Sequence, residues 1–543
     1  MINLSGMALR RVIAQCAWVL ALVTLHACDS SNSTVQEARL AQETTGNTLH
    51  ILAGSELKDI AAMAGEIKAK TGVQLNFEYS GTLDAAEKIA SGENYDAVWV
   101  SHGKYLQMTP GATERLKQTE KIMLSPVVLG LKESIANKLG WCGNAEVTWK
   151  DIATAAEAGK FTFGMTNPAS SNSGFTALVG LTAALSGKSD ALTLADVQAN
   201  KTATFFKAQR LTAGSSGWLS DAYLSDQTTV DGIINYESVL LSLNQNKALK
   251  EKLCLIYPNE GIITADYPLM LLSDTKKAAF NTLVAYLRGE EFQQRIMAQT
   301  LRRPVNSNVK LSDVFPKALL IELPFPGQID IVNVLLEQFQ NSVRIPAHSW
   351  FVLDTSGSMG TNDGIEQLRK SIAGLSGEDN SVSGRFAHFL TREHIEFITF
   401  AHEVNAPVHF AMAATESESK VTRKRILEFS RNLNAEGGTA IYDAVHSAYK
   451  LALVAQKKES ANYYQTIVLM TDGRNTDGND FKSFQEWYTR LPEDSKKIRV
   501  FTVAFGDADT AELNSLAKLT GGKFFDGRKG DLRQIFKEVR GYQ

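Results

Sequence analysis

The sequence predicts an α/β chain built as two successive units, and three observations carry that expectation. From about Asn47 to Pro304, short apolar strands ending in Gly or Ser alternate with segments of helical period. From about Ile345 onward a second alternation begins, on longer and more apolar strands. Between the two the period weakens, and "ELPFPG" interrupts any helix. A chain of 543 residues also exceeds what a single hydrophobic core organises.

The first unit opens with "TLHILAGS", an apolar strand that ends in Gly-Ser. In the helix that follows, Leu57, Ile60, Ala61, Ala64 and Ile67 share one face, and a glycine closes it. "VQLNFEYSG" and "TLDAAEKIASGE" repeat the strand-then-helix pair, and "YDAVWVS" adds a third strand. "KIMLSPVVLGLKES" is a long strand, after which "TNPASSNSGFTALVGL", "GIINYESVLLSL" and "CLIYPNEGIITADYPLMLL" continue the alternation. Two α/β lobes joined by long strands account for this order. In the intervening segment, 306–344, Ile331, Val334, Leu335 and Phe339 lie on one face of a helix expected to pack on the following unit. That last unit has strands at "SWFVLD", "HIEFITFA", "QTIVLMTDG" and "KIRVFTVAFGD", and a closing helix at "DLRQIFKEVRGY".

Charge excludes some partners. A formal net charge of −3 leaves no basic excess for nucleic acid and no acidic tail. At the N-terminus, Arg10 and Arg11 precede "VIAQCAWVLALVTL", an apolar run shorter than the ~20 residues of a spanning helix. That pattern is a secretory signal. Its end, "LHAC", resembles a bacterial lipobox, although His26 is unusual within one. The resemblance implies cleavage before Cys28 and lipidation there, with 28–46 a polar tether and the membrane a partner through the anchor. The alternative is a plain signal peptide cleaved near Ala27. Of the four cysteines, Cys142 and Cys254 remain as an even pair in an oxidising compartment, expected as a disulfide.

Chemistry concentrates at the end of the first strand of the last unit. In "SWFVLDTSGSMG", Asp354, Ser356 and Ser358 bring a carboxylate and two hydroxyls to one loop. A serine hydrolase needs Gly-x-Ser-x-Gly, and the glycine before Ser358 is displaced; no histidine follows Asp472. An aspartyl phosphatase wants a carboxylate two residues after Asp354, where Ser356 stands. The expectation is therefore a binding protein, not an enzyme. A hard cation fits better, because Mg²⁺ takes a few protein oxygens and keeps its waters. "GGTAIYD" supplies Thr439, and "VLMTDG" supplies Asp472 at another strand end. In a parallel sheet such ends lie along one edge, where ligands bind.

These elements, "DTSGS", "GGT" and "TDG" in that order, resemble the metal-ion-dependent adhesion site of the von Willebrand factor A domain, or integrin I domain. The resemblance covers residues 345–543 and implies a doubly wound, Rossmann-like fold. It also implies that Ser356, Ser358 and Thr439 coordinate Mg²⁺ (or Mn²⁺ or Ca²⁺) through hydroxyls, with Asp354 and Asp472 acting largely through waters. An open coordination position would take a carboxylate of a partner protein. In many such domains the closing helix shifts between states.

The first unit, 47–305, resembles periplasmic solute-binding proteins of the molybdate and sulfate type, through "AGSELKDI", "EYSGTLDAAEKI", "TNPASSNSGFTAL" and "GIINYESVLL". That implies a cleft lined by Ser55, Ser80, Ser171, Ser173 and Tyr236, with Asn167 and Asn172 nearby. Serines at helix N-termini suit an anion, since free N–H groups and the dipole face it. Glu56 and Glu237 beside the motifs leave another small polar solute open. The function expected is that of a lipid-anchored binding and adhesion protein. The first rival is a solute-capturing receptor for a membrane permease of the ABC type, with the adhesion domain as accessory; the second is a metal-dependent hydrolase, against which the motif departures count.

Overall fold

The computed structural model describes residues 47–187, 190–317, 320–361, 363–459, 462–529 and 532–543. The secretory signal, Cys28 and the tether lie outside these residues.

The first unit is two-lobed. One lobe holds a five-stranded sheet in the order Gln74–Tyr79, Thr48–Ala53, Ala97–Trp99, Pro268–Leu271 and Gln118–Lys121. Its first three strands are parallel, and Pro268–Leu271 returns antiparallel. The other lobe is organised around the long strand Met123–Lys132, paired with Gly232–Tyr236 and Leu253–Ile256. Phe163–Thr166 and Gln209–Ala213 extend it in parallel. The chain thus crosses between lobes just before Met123 and again before Pro268. Helix Asn172–Ser186 is apolar nearly all round and is buried through most of its length, as a helix without a polar face must be. It ends at Gly187, whose φ of +71° carries the backbone out of the helix. Cys142 and Cys254 are disulfide-bonded with Cα atoms 5.5 Å apart, tying the loop after helix Glu133–Lys138 to strand Leu253–Ile256.

Helix Ile329–Gln338 corrects one expectation. It packs on the first unit, not on the one that follows. Ile331, Val332, Leu335 and Leu336 are buried, and Phe339 meets the Phe206 ring edge-on at 5.0 Å. Gln340 Nε2 donates to Asn167 Oδ1 at 2.8 Å, and Tyr105 Oη donates to Asn333 Oδ1 at 3.3 Å. The periodicity specified an apolar face but not which neighbour would cover it.

The last unit is one six-stranded sheet in the order Val408–Ala411, His394–Phe400, Ala347–Asp354, Tyr464–Thr471, Arg499–Ala504 and Phe524–Asp526. Only the edge strand Val408–Ala411 runs antiparallel. Strand Ala347–Asp354 is buried at every position because helices cover both faces. Phe351 and Leu353 enter one core, and Trp350 and Val352 the other. Each such large apolar side chain contributes ~1.5–3 kcal/mol relative to exposure. This is the doubly wound α/β architecture the sequence predicts.

Candidate functional site

Asp354 and Asp472 sit at the C-terminal ends of neighbouring parallel strands, where the register pairs Leu353 with Met470. Asp354 is fully buried. Its Oδ1 accepts from the backbone N–H of Ser356 at 2.8 Å, and its Oδ2 accepts from the Thr471 hydroxyl at 2.5 Å. Ser356 and Ser358 hydroxyl oxygens are 3.0 Å apart, and Ser358 Oγ donates to Asp472 Oδ1 at 2.8 Å. Thr439 precedes helix Ile441–Glu459, and its N–H donates to Asp477 Oδ2 at 2.9 Å, which pins the loop. Gly473 brings Thr439 into the cluster: a Cβ there would stand 3.2 Å from Ser358 Oγ and 3.6 Å from Thr439 Oγ1. All five sequence-predicted residues converge from three loops.

The electrostatics of the cluster leave a cation wanting. Burial pushes the Asp354 carboxyl up to about 6, against the bonds from Ser356 and Thr471, and the neighbouring Asp472 carboxylate pushes the same way. Burial also raises Asp472, and Ser358 offsets this in part. Among the described residues no lysine or arginine forms an ion pair with either. Two carboxylates and three hydroxyls are the all-oxygen set that a hard divalent cation takes, and the donor set therefore fits one.

In the first unit, a cavity of about 240 Å³ lies between the lobes. Ser55, Glu56, Ser80 and Thr82 line it from one lobe, and Asn167, Ser171 and Asn172 from the other. Two helices start at this cavity, Thr82–Ala90 and Asn172–Ser186, and the Thr82 hydroxyl bonds Asn172 Oδ1 across the gap. Ser80 Oγ donates to Asp84 Oδ2 at 2.5 Å.

Two predicted contacts are elsewhere. Ser173 is buried, within 2.8 Å of Ser216 Oγ and 2.9 Å of Thr166 Oγ1, in a hydroxyl network that reaches the cavity only through Ser171 Oγ, 3.4 Å away. The helix begins two residues earlier than its apolar run indicates, so Ser171 stands at the cap position and Ser173 turns inward. Tyr236 is also buried, its hydroxyl 2.8 Å from Ser101 Oγ between the lobes. Glu237 forms a two-pronged ion pair with Arg303 at 2.7 Å on each arm, and so is not available to a solute.

The wall that sequence reasoning missed comes from the last unit. Ser383, Lys537, Glu538, Arg540 and Gly541 close the mouth of the same cavity. The Glu87 carboxylate caps helix Val382–Ala387 by accepting from Val382 N–H, from Ser383 N–H at 3.1 Å and from Ser383 Oγ at 2.6 Å. Trp218 and Tyr542 meet edge-on with ring centres 4.8 Å apart. Gly541 passes so close that a Cβ there would stand 2.7 Å from Ser170 Oγ. Single-sequence periodicity carries no signal for such a contact.

Fold and sites together define a class: a two-lobed cleft domain joined to a parallel-sheet domain with an acid–hydroxyl loop cluster. Residues 49–300 match the family model of bacterial extracellular solute-binding proteins, and residues 350–538 match that of the von Willebrand factor type A domain. Similar solved structures include a putative extracellular solute-binding protein from Bordetella parapertussis, 15% identical with a TM-score of 0.40, over 54% of this chain and 98% of that one. The sulfate-binding protein SubI from Mycobacterium tuberculosis H37Rv is 18% identical with a TM-score of 0.39, over 53% of this chain and 96% of that one. The periplasmic binding protein AfuA from Actinobacillus pleuropneumoniae, solved with exogenous fructose-6-phosphate, is 14% identical with a TM-score of 0.40, over 55% of this chain and 98% of that one. No curated protein matches the chain.

Proposed function

We propose that this is an exported, lipid-anchored binding protein whose C-terminal domain holds a divalent cation and docks a partner protein. The observation that carries this reading is the convergence of Asp354, Ser356, Ser358, Thr439 and Asp472 at one sheet edge. Mg²⁺, with Mn²⁺ or Ca²⁺ as substitutes, would be held by these residues and would present a coordination site for a partner carboxylate. The domain limits adopted are 47–305 for the solute-binding unit and 345–543 for the adhesion unit, with helix Ile329–Gln338 serving the former.

The cleft takes a small polar solute through Ser55, Ser80, Ser171, Asn167 and Asn172. Two helix starts favour an anionic group on the solute, while Glu56 and Asp84 beside them favour donors on its other end. A solute with both features, such as an amino acid, suits the cavity better than sulfate or molybdate. Thermal scans of the full chain against amino acids, sugar phosphates and the two oxyanions decide this. A true solute at about a hundred times its Kd stabilises the protein by about 2.7 kcal/mol. A shift with oxyanions alone would reverse the preference, and no shift with any compound would leave the cleft as a scaffold.

The receptor reading stands second. The matched solute-binding family favours it, but the adhesion domain covers the cleft mouth and touches both lobes. A permease would meet that surface only after the two domains separate.

A further inference from the structure

At the end of the C-terminal sheet opposite the acidic loops lies a second cluster of metal-ligating side chains. His348 and His394 are cross-strand partners in the parallel register, and Glu459 reaches them from the end of helix Ile441–Glu459. One ligand atom from each, a ring nitrogen or a carboxylate oxygen, lies within 4.8 Å of the others. His348 Nδ1 is 3.0 Å from Glu459 Oε2, and His394 Nδ1 is 3.4 Å from Glu459 Oε1. Each contact is satisfied by an N–H on Nδ1 donating to the carboxylate, or by a cation held between the two.

We propose that His348 Nδ1, His394 Nδ1 and the Glu459 carboxylate form a site for a divalent transition metal, of which Zn²⁺ is the type. Imidazole nitrogens with one carboxylate select Zn²⁺, Cu²⁺ or Ni²⁺ over Mg²⁺ and Ca²⁺, which take oxygen. Three protein ligands leave a fourth position to water, and the half-buried His394 and Glu459 give an ion access from solvent.

The surroundings are those of a built site. A ligating histidine ordinarily has its other ring nitrogen oriented by a carboxylate or another polar group. His348 Nε2 is buried without a hydrogen bond, with Glu396 Oε1 3.5 Å away, and Glu396 meets His409 Nδ1 at 2.6 Å. His394 Nε2 lies 3.4 Å from the Tyr463 hydroxyl. Gln465 Nε2 donates to Glu459 Oε2 at 2.7 Å and holds that carboxylate in place. The His348 ring is stacked on Trp350 with ring centres 4.8 Å apart. Six steps of strand carry the chain from His348 to Asp354, ~20 Å, so this site and the one at the acidic loops are independent.

Co²⁺ titrated into the full chain in excess Mg²⁺, which occupies the all-oxygen loops, tests the proposal by the visible bands of four-coordinate cobalt. The expected result is one equivalent of bands, displaced by Zn²⁺. His394→Gln and Glu459→Gln, at half-buried positions, should each weaken Co²⁺ more than about tenfold, and Glu396→Gln about ten- to a hundredfold. Asp354→Ala should leave the bands unchanged. Absence of the bands in the wild type, or their survival in both His394→Gln and Glu459→Gln, would overturn the proposal. Circular dichroism of each variant separates a lost ligand from a lost fold.

Discussion

Asp354 shows what a single residue contributes. Its carboxyl is buried beside a second carboxylate, and both burial and that neighbour disfavour its charged form. Asp354→Ala removes that carboxyl from the acid–hydroxyl cluster. It is expected to fold, and to bind a partner no better in Mg²⁺ than in EDTA. Ser173→Ala is expected to behave differently from a ligand-contact change. It breaks a buried hydroxyl network and should cost ~1–3 kcal/mol of stability, read by urea melts, with solute affinity nearly unchanged. The two cases also mark what a sequence reveals. The acid–hydroxyl cluster was legible because each loop carries its own short motif at a strand end. Ser173 was misplaced because a shift of two residues in where a helix begins rotates a side chain by half a turn. The His348, His394 and Glu459 cluster was not legible at all, since strand register assembles it from distant segments.

Among elements, the closing helix Leu532–Arg540 matters most, because it belongs to one domain and lines the cleft of the other. Arg540 and Arg344 share Glu393, with Arg540 Nη2 2.7 Å from Glu393 Oε2, in a buried triad that fastens this helix to the start of the domain. Burial raises the Glu393 carboxyl, but Arg540 and Arg344 outweigh it and hold it below the usual carboxylate range. A depressed acid stabilises the fold above its unfolded pKa and loses that contribution as pH falls through the folded one. The helix should therefore release below pH ~4, read as loss of hydrogen-exchange protection at Leu532–Arg540. Glu393→Ala should cost ~3–5 kcal/mol, since two guanidiniums are left buried without their partner. The strands and helices that build these elements were mostly legible from period and turn residues. The edge strands Val408–Ala411 and Phe524–Asp526 were not, being short and, in the first case, largely exposed. The face of helix Ile329–Gln338 was read in part, since Val332 and Leu336 are buried with Ile331 and Leu335 while Val334 is only partly so, and its neighbour was read wrongly, because period reports burial and not the identity of what buries it.

For the molecule as a whole, the von Willebrand factor A domain forms a third wall of the cavity between the lobes, through Ser383, Lys537 and Gly541. Any solute that changes the lobe angle must move Ser170 against Gly541 and Glu87 against the helix Val382–Ala387. Gly541→Val places a side chain into Ser170 and should undock the domains, seen as a larger radius in solution scattering, with each domain still folded. Reduction of the Cys142–Cys254 disulfide should instead loosen the first domain alone, by ~4–5 kcal/mol from loop-closure entropy. Cation binding at the acidic loops is tested most directly by calorimetric titration of Mg²⁺ into the wild-type chain and into Asp354→Ala. One Mg²⁺ bound by the wild type and none by the variant is the predicted result; equal binding by the two proteins would contradict it.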